Sequence, residues 1–333
     1  MIPLSVLDLA TVGTGSSPAQ ALRETTDMSR LVERLGYLRL WVAEHHAMEA
    51  IASSAPAVLI AHLASATSTL RIGSGGVMLP NHSPLVVAEQ FATLEALHPG
   101  RIDLGLGRAP GTDPHTARAL RRSSELSADT FPNDVVELIS YLLPHDGRPT
   151  HPAATPGSGY LPEVWLLGSS TFSAQLAGIL GLPFSFAYHF APAQLDQALA
   201  LYRSTFVPSR LNDRPTVMVC VSVLCAESAD EARWLSGSTK LSVLQRRTGH
   251  HGPLASPEEA EDYPFTPEET ALVDEVMSTH VIGDPGTVRE GLIQLQERTA
   301  ADELMLSTRT HSYEARATSF TLVARSWGLT ATT

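Results

Sequence analysis

Histidine titrates near neutral pH, arginine grips oxyanions and paired glycines make room for a flat group. In this sequence such residues recur where apolar runs stop: Asp8, Glu44-His45-His46, Gly75-Gly76, Gly107-Arg108, Gly168-Ser169-Ser170, Tyr188-His189, and Arg309 with His311. Neighbouring His45 and His46 project to opposite sides if they keep strand geometry. Only one can then look into a shared site, where a neutral imidazole would accept or pass a proton. A purely structural histidine at a strand end is the competing account. Gly168-Ser169-Ser170-Thr171 joins an apolar run to a helical pattern, so N–H groups and hydroxyls would face the positive end of a helix dipole, as a phosphate requires. Ordinary helix capping by Ser or Thr explains the same residues. Arg108 adds a guanidinium one strand away that could pair bidentately with that phosphate, or end in a surface salt bridge. Asp8, His46, Tyr188, His189 and His311 are further candidates for the mouth of the site. No His-x-His, cysteine cluster or carboxylate spacing suggests a metal.

The elements that must hold these residues alternate regularly. Strands are expected at Ile2 to Leu9, Leu38 to Ala43, 70–79, Arg101 to Leu106, Val164 to Leu167, Phe184 to Tyr188, Thr216 to Cys225 and Glu303 to Ser307, with helical patterns between them. The first helix, Pro18 to Leu35, should be capped by Gly36. One long helix is expected from Asp113 to Leu143, a Pro/Gly-rich connector from Pro144 to Pro162, and a turn at Val281 to Pro285. Residues 247–267, polar and without a clear period, read as a mobile lid after the seventh strand. Strand and helix pairs in this number favour a single-domain α/β fold, a (β/α)8 TIM barrel with an inserted lid, over an open doubly wound sheet. In a barrel the residues named above all fall at the C-terminal ends of the strands, where such folds place their sites.

Gly73, Gly75 and Gly76 interrupt the third apolar run, Leu70 to His82. Glycine weakens a strand, so either a ligand approaches the backbone there or two barrel layers need the space. Arginine and lysine total 23 against 35 acids, a formal charge of −12, which argues against nucleic acid or anionic membrane as partner and for a small molecule. Cys220 and Cys225, in one expected strand, should point to opposite faces and stay reduced. No signal peptide and no apolar run of about 18 residues is evident, so a cytoplasmic protein is expected.

Several of these stretches together resemble the bacterial luciferase-like flavin monooxygenases. They are Trp41-Val42-Ala43-Glu44-His45-His46, Gly73-Ser74-Gly75-Gly76-Val77-Met78-Leu79-Pro80, Arg101-Ile102-Asp103-Leu104-Gly105-Leu106-Gly107-Arg108 and Gly168-Ser169-Ser170, followed by the late lid. The likeness runs in order over nearly the whole chain and is nearest to single-chain actinobacterial members of antibiotic pathways. It implies reduced FMN at the barrel mouth, delivered by a separate NAD(P)H:flavin reductase, and O2 captured as a flavin C4a-hydroperoxide that oxygenates an organic substrate, an aromatic or polyketide compound by hydroxylation or epoxidation. His45 then matches the family's active-site base, Gly75-Gly76 its cis peptide beneath the ring, and Arg108, Gly168, Ser169 and Ser170 the phosphate cradle. A homodimer is also implied. The luciferase large subunit has a cysteine where Gly107 stands and an acidic residue where Gly168 stands, so aldehyde specificity and light emission are not implied. Two alternatives belong to the same resemblance: hydride transfer with coenzyme F420, and a non-catalytic flavin-binding subunit.

Overall fold

A computed structural model describes residues 1–109, 112–120, 129–144, 152–250 and 252–330. In chain order its elements are β1 (Leu4–Asp8), α1 (Pro18–Leu35), β2 (Arg39–Val42), α2 (Pro56–Ala66), β3 (Arg71–Met78), α3 (Pro84–Leu97), β4 (Ile102–Gly107), α4 (Pro114–Leu120), α5 (Phe131–Leu142), β5 (Glu163–Gly168), α6 (Thr171–Leu180), β6 (Phe184–Phe186), α7 (Leu195–Thr205), β7 (Val217–Cys225), α8 (Ala229–Arg247), α9 (Pro257–Glu261), α10 (Pro267–Met277), β8 (Val281–Gly283), α11 (Pro285–Thr299), β9 (Glu303–Ser307) and α12 (Tyr313–Trp327). The strands pair in the order β6-β5-β4-β3-β2-β1-β9-β7, and β6 also pairs with β7. All these pairings are parallel, so eight strands close into the expected (β/α)8 barrel and leave no edge.

Each strand is covered on both sides, which is why β1, β4 and β9 are buried at every position. The two-residue period separates two cores. Leu4, Val6, Leu40 and Val42 pack outward under the helices, while Leu7, Trp41, Trp165, Met218, Cys220 and Met305 fill the barrel. Helix ends follow local chemistry. Ser17 accepts a hydrogen bond from the Gln20 amide at 3.2 Å to start α1, and Gly36, with φ 86°, ends it.

The bottom of the barrel is charged and closed. Arg39 pairs with Asp103 and Glu303, each at 2.9 Å, and Arg71 with Asp103 and, at 2.8 Å, Glu163. The Trp41 indole donates to Asp103 at 2.8 Å. Burial lowers the Arg39 pKa, but Asp103, Glu303 and Glu163 more than restore it, so the group titrates above the ordinary arginine range.

Four elements differ from expectation. Val281–Gly283, expected as a turn, is strand β8. It exists because β7 is longer than its neighbour: Met218 to Ser222 pair with β9, and Val223 to Cys225 pair with β8. The single helix expected from 113 to 143 is two, α4 and α5, with a turn at Asp129-Thr130; residues 121–128 lie outside the described residues, as do 145–151 of the connector. Strand six stops at Phe186, because the Ala187 carbonyl accepts from Phe190 and Ala191 and turns the chain. The stretch expected as an irregular lid is built and docked: Leu254 exchanges backbone hydrogen bonds with Val12 and Thr14, and Leu254, Ala255 and Ala260 are buried. Much of its polarity belongs to capping boxes, Ser256 with Glu259 and Thr266 with Glu269, that start α9 and α10. His251 lies outside the described residues.

Candidate active site

The C-terminal ends of the strands surround a cavity of about 330 Å³. Its floor is apolar, made by Leu7, Trp41, Leu167, Cys220 and Met305 with the bare backbone of Gly75. The Gly75–Gly76 peptide is cis, and the β3–β4 register shifts between Gly75 and Val77. The two glycines do different things. Gly75 faces the cavity, while a Cβ on Gly76 would stand 2.6 Å from the Gly105 carbonyl and 2.4 Å from Leu167 Cδ1. A Cβ on Gly75 would meet Leu7 Cδ1 at 2.9 Å and Trp41 at 3.1 Å, so one glycine lets the floor side chains pack and the other lets β3 approach β4.

His45 lines this cavity and His46 does not, as opposite projection requires. The backbone amide of His45 donates to the Ser53 carbonyl at 3.0 Å. Its neighbour Glu44 is fully buried and accepts from the Met78 amide at 2.9 Å, Asn81 Nδ2 at 3.1 Å, His82 Nε2 at 2.9 Å and His46 Nε2 at 3.0 Å. Burial raises the Glu44 pKa, but these donors, His82 foremost, pull it below the ordinary value, so it is ionised. Glu44 thereby ties the end of β2 to the turn leaving β3.

On the next wall, Arg108, Gly168, Ser169 and Ser170 meet at the start of α6. The Arg108 guanidinium stacks on Phe172 at 4.3 Å from the ring centre. Ser170 occupies the N-cap position with extended backbone, yet its side chain makes no capping hydrogen bond. Capping does not occupy that hydroxyl. A guanidinium, two hydroxyls and a helix N-terminus facing one cavity fit a phosphate.

A model of the luciferase-like monooxygenase family matches residues 2–302. The chain belongs to the luciferase-like monooxygenases. It is 49% identical over 321 residues to the "Luciferase-like monooxygenase" of Escherichia coli strain K12, covering 96% of each chain. It is 36% identical over 269 residues to the N-acetyl-S-alkylcysteine monooxygenase of Bacillus subtilis, covering 79% of each. The crystal structure of apo-MsnO8 superimposes with a TM-score of 0.92 at 37% identity over 99% of both chains. As a member of this family the protein is a flavin-dependent monooxygenase. The same fold, at identities of 19% and 14%, occurs in a 3,6-diketocamphane monooxygenase constituent with FMN and an F420-dependent secondary alcohol dehydrogenase, with TM-scores of 0.71 and 0.69. Those two share the architecture alone.

In this luciferase-like monooxygenase several residues expected at the mouth lie elsewhere. Asp8 is buried behind the barrel wall, accepting from the Ala10 amide at 2.6 Å and Thr25 Oγ1 at 3.0 Å, with Arg316 at 3.8 Å. It shares the outward parity of Leu4 and Val6. Tyr188 shares the outward side of Phe184 and Phe186 and lies under Arg298 of α11, 6.0 Å from the ring centre. His46 is engaged by Glu44. His311 Nε2 donates to the Thr14 carbonyl at 3.0 Å and packs on Gly13, pinning the loop after β1. Only His189 of that group reaches the cavity.

Other lining residues had no sequence signal. Arg246 and Val243 come from α8, Val276 from α10, and His280 just before β8, so the helices on either side of residues 247–267 form a wall of the cavity. Arg309, at a strand end, was legible as polar but not as a ligand. Burial holds His189 and His280 neutral, with pKa values near about 4. Burial likewise raises the Cys220 thiol well above its usual range, leaving it a packing group. Among the described residues no helix is long and apolar enough to cross a membrane, and no group of three His, Cys, Asp or Glu could hold a metal.

Proposed function

We propose that this enzyme binds FMN, in its reduced form, and transfers one atom of O2 to an organic substrate while the other leaves as water. The observation that carries this reading is the junction of Arg108, Ser169 and the uncapped Ser170 at the α6 N-terminus, one wall away from an apolar floor ending in Gly75. Arg108 and the serines would hold the phosphate, and Gly75, Leu7 and Trp41 would support the ring. The reduced cofactor supplies the two electrons that O2 activation consumes. The protein's own task is to orient, to exclude water and to manage protons. Val243 of α8 and Val276 of α10 add apolar surface to the cavity wall, which would help to exclude water. His45, which lines the cavity, would exchange a proton at the reacting centre.

The apolar side chains of Met48, Ile51 and Phe190 suit an aromatic or polyketide-like group, whose hydroxylation or epoxidation is the proposed reaction. A separate NAD(P)H:flavin reductase as electron source and a homodimeric assembly complete the proposal; light scattering checks the second. The decisive test is anaerobic titration with FMN reduced by dithionite, then O2 admission with a substrate panel. Tight reduced-FMN binding that Arg108→Gln weakens, and oxygen uptake that rises with substrate, support the reading. Failure of the wild type to bind reduced FMN, or turnover only with F420, overturns it. His45→Ala should bind FMN normally and lose turnover.

A further inference from the structure

The chain carries a formal charge of −12, yet among the described residues its cavity is lined by three arginines and no carboxylate. One of the three, Arg108, belongs to the phosphate wall. The other two, Arg246 and Arg309, stand across the barrel. In the closed strand order β9 lies four places from β4, the greatest separation an eight-stranded barrel allows.

Each side is held on its own wall. Arg108 is stacked on Phe172, whereas Arg309 Nη2 donates to Ser242 Oγ of α8 at 3.3 Å and its carbonyl accepts from Thr239 Oγ1 at 2.9 Å. Arg309 Nε is buried and has no hydrogen-bond partner. Burial, and then the charge of Arg246, push the Arg309 pKa down to about 10, still far too high for the group to lose its proton near neutrality. The histidines between them are already neutral and cannot relieve the repulsion by shedding a proton. Two guanidiniums lining one cavity, one of them with an idle buried donor, are costly until an anion joins them.

We propose that Arg246 and Arg309 form an anion subsite for the organic substrate, which therefore carries a carboxylate. The assignment rests on the reading of Arg108, Ser169 and Ser170 as the cofactor's phosphate site. A planar carboxylate offers lone pairs to both forks at once. Its apolar remainder would lie along Val243, Val276 and Phe190, toward the floor.

The test needs no turnover. Phenylacetate and its neutral isostere phenylacetamide are titrated calorimetrically into the flavin-free full chain. The wild type should bind the acid about tenfold or more tightly than the amide, and Arg309→Gln and Arg246→Gln should each abolish that preference. FMN affinity should change less than about twofold in both variants while Arg108→Gln weakens it about tenfold or more. Equal or undetectable binding of the two probes by the wild type overturns the proposal, whatever the variants do. So does Arg309→Gln weakening FMN as strongly as Arg108→Gln, because the wall would then serve the cofactor. If the wild type binds no FMN in either redox state, the cofactor reading falls, and the acid–amide comparison still decides the subsite.

Discussion

The two ends of the barrel use the same charged residue in opposite ways. At the bottom, Arg39 and Arg71 are clamped by Asp103, Glu163 and Glu303, so the guanidiniums there have acids at hydrogen-bond distance. At the mouth, Arg108, Arg246 and Arg309 face a cavity to which no described acid contributes. One strand supplies both ends: β4 carries Asp103, its second residue, in the network and is followed by Arg108 at the mouth. The difference teaches that charge balanced inside the fold holds the barrel, whereas charge left unbalanced in a pocket is balanced by something that binds.

The largest expected effect is at the bottom. Asp103→Ala removes a fully buried acid shared by the buried Arg39 and Trp41 indole and by the partly buried Arg71. Breaking a buried pair leaves uncompensated charge, so unfolding free energy in urea should fall by about 3–5 kcal/mol. A loss below about 1 kcal/mol would break the comparison at its stronger end. Arg108→Gln should behave oppositely. It leaves no described acid stranded, so stability should hold within about 0.5 kcal/mol, while reduced-FMN affinity drops by about 1.5–3 kcal/mol for the lost charged hydrogen bonds.

The pH dependence sharpens the contrast, because the neutral histidines belong to the mouth. His189 and His280 have folded-state pKa values of about 4 against an ordinary 6.5, burial being the main cause in both. Between those values the unfolded chain binds more protons than the folded one, so stability rises with pH. Their contribution is therefore whole above about 6.5 and is lost as the pH falls toward about 4, with a slope of at most about 1.4 kcal/mol per pH unit for each histidine. Urea midpoints for wild type and His280→Gln measure it. The variant should show a shallower decline, and identical curves would show that His280 is not held neutral by the fold.

How much of this was legible in the sequence depends on whether a residue's role is local. The barrel was, since alternation within strands and helical spacing between them are written in consecutive residues. That one of His45 and His46 would face the mouth was legible for the same reason, whereas the choice of His45 and of Gly168–Ser170 as a cradle came from the family resemblance. Asp8 and Tyr188 were misplaced although their parity pointed outward with Leu4 and Val6, and with Phe184 and Phe186; polarity at a strand end was given more weight than the two-residue period. Glu44 was visible only as a polar strand end, because the donors that define its role include Met78, Asn81 and His82, brought to it by β2–β3 pairing. Arg246 ends the expected helix α8 and His280 precedes β8, and nothing in the spacing of either says that it turns toward the barrel mouth. β8 depends on the excess length of β7, a property of the assembled sheet.

The smallest expected effect separates pairing from burial. Arg298 and Asp196 form an ion pair of the same chemistry at 2.7 Å, but their side chains are 48% and 64% exposed. Water already solvates both charges, salt screens their attraction, and ordering two flexible side chains offsets much of what remains. Asp196→Asn should therefore cost about 0.5 kcal/mol or less in urea unfolding, and the cost should shrink further at high salt. Pairing geometry there is as good as at Asp103, so a small result assigns the weight of the bottom network to its exclusion from water. A loss approaching that of Asp103→Ala would mean that pairing alone confers the stability, and the arginines of the mouth, whose cavity no described acid lines, would then call for a different explanation from a ligand that completes a buried charge.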